Sequence, residues 1–253
     1  MNKSKIDWCD YTWNPVTGCL NGCEYCYARK IANRFSGYLP NENYDWKVDL
    51  LKNLMVLCGI QARKQKDGKI VPAPYPFGFD PTFHKYRLDE PQKLKKPSNI
   101  FVCSMADLFG DWTPESWIQE VFKACEKAPW HNYLFLTKNP KRYAEFAGVK
   151  ILPIDENFWY GTTKTDTDDP YFWSKHHHTF ISFEPLLSVP PRFLPRVDWV
   201  IVGQQTNPTV KPKDEWVQWI IDEYGIDNIP VFIKRPLYER FPIQEYPKEL
   251  LKD

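Results

Sequence analysis

Short apolar runs recur along the second half of the chain, separated by polar segments. They are rich in Val, Ile and Phe without strict alternation, a pattern typical of strands covered on both faces, as in parallel sheets. Two less regular stretches, 11–17 and 77–83, predict one or two strands in the first hundred residues. The strands predicted later are IFVCS (100–104), YLFLT (133–137), FWYGT (158–162), FISFE (180–184), WVIVG (199–203) and PVFIK (230–234).

Several segments between these strands have apolar residues at helical spacing. Thr113-Pro114 places an N-cap before a proline, and the following apolar residues repeat at helical spacing. Asn139-Pro140 begins a second helix in the same way, and residues 213–224 form a third, with Gly225 just after its end. We also predict helices at 27–35 and 46–60, and no more than a turn or two of helix in the connection 163–179.

The repeated order of strand, helix and strand implies right-handed crossovers and a parallel sheet. The expected fold class is therefore α/β, with a closed or partly open (βα) barrel and a mostly parallel sheet. An open doubly wound sheet is the alternative. We expect residues 1–253 to form a single domain, with the proline-rich, basic stretch 61–99 as an excursion from it.

Composition narrows the class of protein. The 253 residues have a net charge of +1, so no global attraction to nucleic acid or membrane is expected. No apolar run approaches the roughly 20 residues of a membrane span, and the N-terminal residues lack a secretory signal. We expect a cytoplasmic protein, in which the seven cysteines are thiols. Basic stretches such as 62–69, 92–96 and 138–142 are typical of solvated surfaces.

Three of the cysteines form a tight cluster, Cys19, Cys23 and Cys26, with the spacing C-x3-C-x2-C. Cysteine thiolates at short spacings are typical ligands of iron–sulfur clusters. The neighbouring Gly18 and Gly22 allow tight backbone turns. Three local ligands leave one metal position open, and an open position is where a substrate or cofactor binds.

Two other interpretations of the cluster stay open. The cysteines could form a zinc site with Cys9 or a distant histidine, or be unrelated core residues. A non-catalytic zinc or iron–sulfur module that binds nucleic acid is the alternative function, since aromatic and basic residues alternate in 130–143. We expect the three consecutive histidines at 176–178 to lie in an exposed loop. The remaining cysteines, which we expect to be structural, are Cys9, Cys58, Cys103 and Cys125.

The cysteine spacing, with the aromatic Tyr25 before the last cysteine, resembles the signature of the radical S-adenosylmethionine (SAM) superfamily. Longer stretches resemble one branch, a phage- and bacterium-associated family of radical-SAM-like proteins of poorly characterised function with a T-W-N-P-V-T-G-C signature. These stretches follow one another over most of the chain. They are IDWCDYTWNPVTGC (6–19), GCEYCYA (22–28), IFVCSMADLF (100–109), FLTKNPKR (135–142), SFEPLL (182–187), DWVIVG (198–203) and VFIKRP (231–236).

The chain departs from the branch at two places. Its first two cysteines are separated by the short gap typical of the wider superfamily, where members of the branch often have a longer one. After the strand, members of the branch are expected to have a Gly-Glu pair. This chain has Gly203-Gln204 there, in VGQQT (202–206). A glutamine cannot act as an acid or a base, so the resemblance implies no proton transfer at this position.

The resemblance implies a cofactor set. Cys19, Cys23 and Cys26 would ligate three irons of a [4Fe–4S] cluster, and SAM would chelate the fourth. One electron, from a reductant such as a flavodoxin or ferredoxin, would cleave SAM to methionine and a 5′-deoxyadenosyl radical. That radical would abstract hydrogen from a substrate, and the protein would orient the cofactors. Analogy favours a nucleic acid base as the substrate, in modification or repair.

The resemblance also implies where the site residues lie. Active sites of βα barrels gather at the carboxyl ends of the strands. We expect Tyr25 beside the adenine, and Asp80 and Thr82 at the SAM amino group. Further cofactor-binding residues are expected at strand ends, namely Ser104, Asp107, Thr163, Gln204 and Lys234.

Glu184 and Lys138 are the candidate catalytic residues. Each directly follows a buried strand, where an ionisable group is costly unless it is paired or used. Simpler interpretations exist, because Glu184 could close a turn before Pro185 and Lys138 could be a surface charge. Likewise, the role of Asp107 could be limited to capping a helix.

Overall fold

The computed structural model describes residues 1–39, 46–49, 54–190, 195–206 and 208–251. The α-helices in these ranges are α1 (Tyr27–Arg34), α2 (Glu90–Lys93), α3 (Glu115–Glu126), α4 (Pro140–Gly148) and α5 (Asp214–Ile226). The strands are β1 (Asn2–Lys3), β2 (Tyr11–Trp13), β3 (Val16–Thr17), β4 (Trp46–Asp49), β5 (Leu54–Leu57), β6 (Ala62–Lys64), β7 (Ile70–Pro72), β8 (Thr82–His84), β9 (Asn99–Val102), β10 (Asn132–Thr137), β11 (Phe158–Thr163), β12 (His178–Phe183), β13 (Trp199–Val202), β14 (Gln205–Thr206), β15 (Thr209–Val210) and β16 (Val231–Ile233).

The main sheet has eight strands in the order β1-β2-β9-β10-β11-β12-β13-β16. The strands from β2 to β16 pair in parallel, and β1 pairs with β2 in antiparallel orientation. In this register Thr163 at the end of β11 lies opposite Ser182 of β12. The carboxyl ends of the parallel strands therefore gather at one edge of the sheet.

The prediction of a closed or partly open (βα) barrel is wrong. The sheet is mixed, and in the described ranges its edge strands β1 and β16 do not pair with each other. Closure of a barrel requires its last strand to pair with its first. Helices are also too few, because the described parts of the connections from β11 to β12 and from β12 to β13 contain none.

Helices cover one face of the main sheet. α3 and α4 pack over β9, β10 and β11 in a cluster dense in aromatic rings, and α5 covers β12, β13 and β16. Phe122 of α3, for example, meets Phe135 of β10 with 5.6 Å between ring centroids. The apolar stripe of each helix explains this contact, since burial of such a stripe is the main stabilising term for a surface helix.

Among the described residues, no α-helix belongs to the cluster that covers the other face. Its inward-facing residues pack against Trp8 of the N-terminal segment and Leu250 near the C-terminus. Trp8 lies 4.6 Å from Phe101 between ring centroids. Both faces of the strands are thus buried, as their continuous apolar runs predict. The inward-facing residues are Phe101, Leu134, Trp159, Phe180, Trp199, Ile201 and Phe232.

A second, four-stranded sheet has the order β3-β8-β5-β4. It corrects two predictions. Residues 46–49 and 54–57 are strands rather than the predicted helix over 46–60, of which 50–53 lie outside the described residues. The strand predicted near 77–83 exists as β8, but it pairs with β3 and β5 instead of joining the main sheet. Cross-strand pairing of this kind overrides local helical preference.

The other predicted helices occur close to their expected positions, as α1, α3, α4 and α5. α5 runs on to Ile226, past the Gly225 that was expected to follow its end. In the described part of the chain, no helix has both the length and the apolar character needed to cross a membrane.

Candidate functional site

A cavity of about 390 Å³ opens at the carboxyl ends of the parallel strands. One side of it is formed by the cysteine loop, the segment 18–26 between β3 and α1. Residues at or just after the ends of β11, β12, β13 and β16 also line the cavity. The apolar part of the wall includes Phe79, Phe101 and Leu136. A concave, largely apolar site with a few convergent polar groups is typical of ligand-binding sites.

The three thiols of the cysteine loop line this cavity. Cys19, Cys23 and Cys26 are free and partly exposed. Cys26 is also the N-cap of α1, and its Sγ accepts the backbone N–H of Arg29 at 3.4 Å. Burial raises the pKa of the Cys19 thiol to about 12, while the backbone N–H of Asn21 lowers it and negative charge on the neighbouring Cys23 and Cys26 raises it. Burial is thus the main cause of the raised pKa of this thiol.

Gly18 sets the entry of the cysteine loop. Its φ is +88°, and a Cβ built there would lie 2.2 Å from the carbonyl oxygen of Asp80. Only glycine tolerates both this φ and this close approach. The backbone N–H of Cys19 then donates to the carbonyl of Phe79 at 3.2 Å. The backbone at 79–80 therefore supports the loop from behind.

Asp107 connects the cysteine loop to two strands of the main sheet. Its buried carboxylate follows β9 and accepts the hydroxyl of Thr137 at 2.6 Å and the backbone N–H of Lys138 at 3.0 Å, at the end of β10. It also accepts the side-chain amide of Asn21 at 2.9 Å. Four acceptor positions on one carboxylate make such sharing possible.

The segment between β9 and Asp107 has an unusual backbone. Cys103 has a φ of +60°, in the left-handed region that residues other than glycine rarely adopt. Beyond it, Ser104 Oγ donates to Asn14 Oδ1 at 3.2 Å, and the Ser104 carbonyl accepts the hydroxyl of Tyr27 at 3.0 Å. Strained residues cluster at functional sites. Here the strained residue directly precedes Ser104, which lines the cavity.

Two cationic side chains that line the cavity contact partners that also line it. Lys138 Nζ lies 5.6 Å from the centroid of the Tyr25 ring, within the range of a cation–π contact. Lys234 Nζ donates to Glu184 Oε1 in an ion pair whose side chains are 16% and 28% exposed. A Cβ on Gly203 would lie 3.1 Å from this carboxylate, so the strand between them comes close to the pair.

A comparison with protein families now finds one match. The profile of a family described as "Protein of unknown function (DUF5131)" matches residues 3–237. The chain belongs to this family. No curated protein and no solved structure matches it. The match spans the cysteine loop and the strand ends of the cavity, so it includes the whole candidate site of this DUF5131 protein.

The cavity brings together nearly all the residues that the sequence predicted for the site. Asp80 and Thr82 are the exceptions, because β8 belongs to the second sheet and the Thr82 hydroxyl donates to the Asp80 carbonyl at 2.8 Å. Their expected contact with the SAM amino group therefore has no support from their position. The predicted residues that do line the cavity are Cys19, Cys23, Cys26, Tyr25, Ser104, Asp107, Lys138, Thr163, Glu184, Gln204 and Lys234.

Sequence reasoning missed other residues of the cavity. Asn21 could have been found, since it lies between two of the clustered cysteines. Ser182 could also have been found, as a polar residue inside the apolar run FISFE. Asp7, Trp8 and Arg235 lie in stretches that resemble the family, but nothing in the sequence marks them individually. The fold brings them to the cavity from the two ends of the chain.

The free thiols on the short cysteine loop of this DUF5131 protein are the type of ligand that iron–sulfur clusters use. The ligand geometry gives no such support. Among the described residues, no group of three or more His, Cys, Asp or Glu side chains is placed to hold a metal ion. The fit therefore rests on the chemistry of the three thiols and on the cavity that they share.

Proposed function

We propose that this DUF5131 protein is a radical SAM enzyme that holds a [4Fe–4S] cluster through Cys19, Cys23 and Cys26 and binds SAM in the adjoining cavity. When bound, the cluster would supply the electron that cleaves SAM to a 5′-deoxyadenosyl radical. The observation that carries the proposal is that all three thiols open into one cavity with the polar ends of the parallel strands. A one-electron carrier of the flavodoxin or ferredoxin type would supply the reducing equivalent.

The roles of the protein's own residues follow from their contacts. Gly18 and the bond from Asn21 to Asp107 hold the cysteine loop against the sheet. The Tyr25 ring and Lys138 form one polar side of the cavity. Phe101 and the other apolar wall residues exclude water, which protects a reactive intermediate from side reactions.

Glu184 and Lys234 are placed to contact the substrate. They form an ion pair near Gly203, the residue that follows β13, and both line the cavity. In the ion pair, the carboxylate accepts a hydrogen bond and the ammonium donates one. The pair can therefore orient a polar substrate without net charge of its own.

The proposal includes a cytoplasmic location, in a bacterium or a phage-infected host cell. All seven cysteines are free thiols. Thiols persist in a reducing compartment, and a reduced iron–sulfur site needs one. An exported protein with this many cysteines would be expected to form disulfides.

The test is anaerobic reconstitution with iron and sulfide, followed by SAM and a reductant. We expect 5′-deoxyadenosine as a product and a change in the EPR spectrum of the reduced cluster on addition of SAM. Cys23→Ser should abolish both, whereas Cys58→Ser, at an exposed cysteine outside the cavity, should abolish neither. Stoichiometric zinc without iron in anaerobically purified protein, or the absence of 5′-deoxyadenosine, would contradict the proposal.

A further inference from the structure

Two buried polar atoms of the cavity wall have no hydrogen-bond partner in the described part of the chain, Ser182 Oγ and Trp8 Nε1. The two residues are 0% and 1% exposed, and both line the cavity. Buried polar groups in proteins are nearly always hydrogen-bonded, so two exceptions at one cavity require an explanation. An indole N–H can only donate and a hydroxyl can donate. Both therefore suit a ligand that presents an acceptor, such as a carbonyl oxygen.

The neighbouring wall presents an acceptor and donors together. Ser182 lies in β12, Glu184 directly follows that strand, and both side chains line the cavity. One carboxylate oxygen of Glu184 is bonded to Lys234. The second oxygen remains an acceptor, and the ammonium group keeps two further N–H donors. Gln204, 6% exposed and on the neighbouring strand's end, adds an amide that can both donate and accept.

An acceptor beside a donor is complementary to a group with an N–H beside a carbonyl, which is an amide. Phe79, Phe101 and Leu136 line the rest of the cavity with apolar surface, which is compatible with the face of an aromatic ring. Cationic side chains also line it and are suited to phosphate, namely Lys5, Lys138 and Arg235.

We propose that Ser182, Trp8, Glu184 and Lys234 form the substrate subsite of the cavity, and that it binds the cyclic amide edge of a nucleobase in a nucleotide. The base N–H would face the Glu184 carboxylate, and a ring carbonyl would face Lys234 and the two unpartnered donors. This assignment deepens the proposed function by naming its substrate class. The radical chemistry rests on the cluster, whereas binding of the base rests only on this wall.

The test is calorimetric titration of the full-length protein, with and without reconstituted cluster, using uridine monophosphate. N3-methyluridine monophosphate is the matched ligand, since it differs only by a methyl group in place of the N3 hydrogen. We expect it to bind about tenfold more weakly or worse, because it leaves a charged acceptor unpaired. Ser182→Ala and Glu184→Gln should each weaken uridine monophosphate binding about tenfold, and Ser36→Ala, at an exposed serine outside the cavity, should not.

Three other outcomes would overturn the assignment of the subsite. Equal affinity for the two nucleotides would remove the amide edge as the recognised feature. Tighter binding of N-acetylglycine N-methylamide, an open-chain amide, would indicate a peptide substrate instead. No binding of any probe would remove the subsite. If uridine monophosphate binds as expected but reconstituted protein forms no 5′-deoxyadenosine, the proposed radical chemistry fails while the subsite stands.

Discussion

The carboxylate of Asp107 accepts a hydrogen bond from the side-chain amide of Asn21, with 2.9 Å between the two heavy atoms. Asn21 lies between Cys19 and Cys23, so this bond joins the cysteine loop to the end of β9. The same carboxylate holds the end of β10 through Thr137 and Lys138. One buried group thus couples the position of the thiols to the edge of the main sheet.

Removal of this carboxylate should weaken both the fold and the site. Asp107→Ala leaves the Thr137 hydroxyl and the Lys138 N–H without their acceptor, and we expect the free energy of unfolding to fall by about 3 kcal/mol. Urea unfolding followed by circular dichroism measures the change. Asp111→Ala, which removes an exposed carboxylate bonded to Asn139, is the control and should cost about 0.5 kcal/mol. Equal losses of unfolding free energy in the two variants would show that Asp107 does not connect the cysteine loop to the main sheet.

Gly161 should tolerate no side chain. A Cβ there would lie 2.2 Å from the Phe180 ring, inside the packed face of the sheet. Gly161→Ala should therefore lower the free energy of unfolding by about 1–3 kcal/mol through overpacking. At Gly148, the last residue of α4, a Cβ would have no neighbour within 4 Å, so Gly148→Ala should be neutral or stabilise by up to about 1 kcal/mol. Thermal unfolding of both variants tests this difference in stability. A Gly161→Ala protein as stable as the unchanged protein would contradict the prediction.

Stability should fall with acid because of His84. Burial, together with the positive charge of Arg87, lowers the pKa of this imidazole well below its usual value. The folded state keeps it neutral, while the unfolded chain takes up a proton below about pH 6.5. The stabilisation is therefore complete above about pH 6.5 and is lost as the pH falls, by up to about 1.4 kcal/mol per pH unit.

Urea titrations between about pH 7 and pH 5 measure this slope. Burial also lowers the pKa of His177, so the slope contains a second contribution of the same sign. His84→Gln should flatten this slope, because it removes the buried imidazole. A slope that His84→Gln does not alter would assign the pH dependence to other groups.

Glu184 and Lys234 should stabilise each other measurably. Their side chains are largely shielded from solvent, so we expect a double-mutant cycle with Glu184→Gln and Lys234→Met to give a coupling of about 1–2 kcal/mol in unfolding free energy. The exposed pair of Asp89 and Lys93 on α2 is the control, and its coupling should be about 0.3–0.5 kcal/mol. A coupling no larger than that of the control would show that the cavity pair contributes little to folding.

Local patterns in the sequence determined much of the element content. The apolar runs after residue 99 coincide with β9 to β13 and β16, since strands buried on both faces need apolar side chains at successive positions. Periodic apolar stripes likewise located α3, α4 and α5. The cysteine spacing marked three residues of the cavity because residues of one loop are close in sequence.

Tertiary structure decided the arrangement of these elements. Strand runs do not specify whether a sheet closes, which depends on pairing between strands distant in sequence. The same reason explains why residues 46–49 and 54–57 form strands beside β8, and why Asp80 and Thr82 lie away from the cavity. Long-range packing also paired Glu184 with Lys234 and placed Trp8 under the strand ends. The sequence therefore determined the main strands and helices after residue 99 and the cysteine loop. Only the folded chain, through contacts between residues far apart in sequence, determined the strands of the second sheet and which side chains share the cavity.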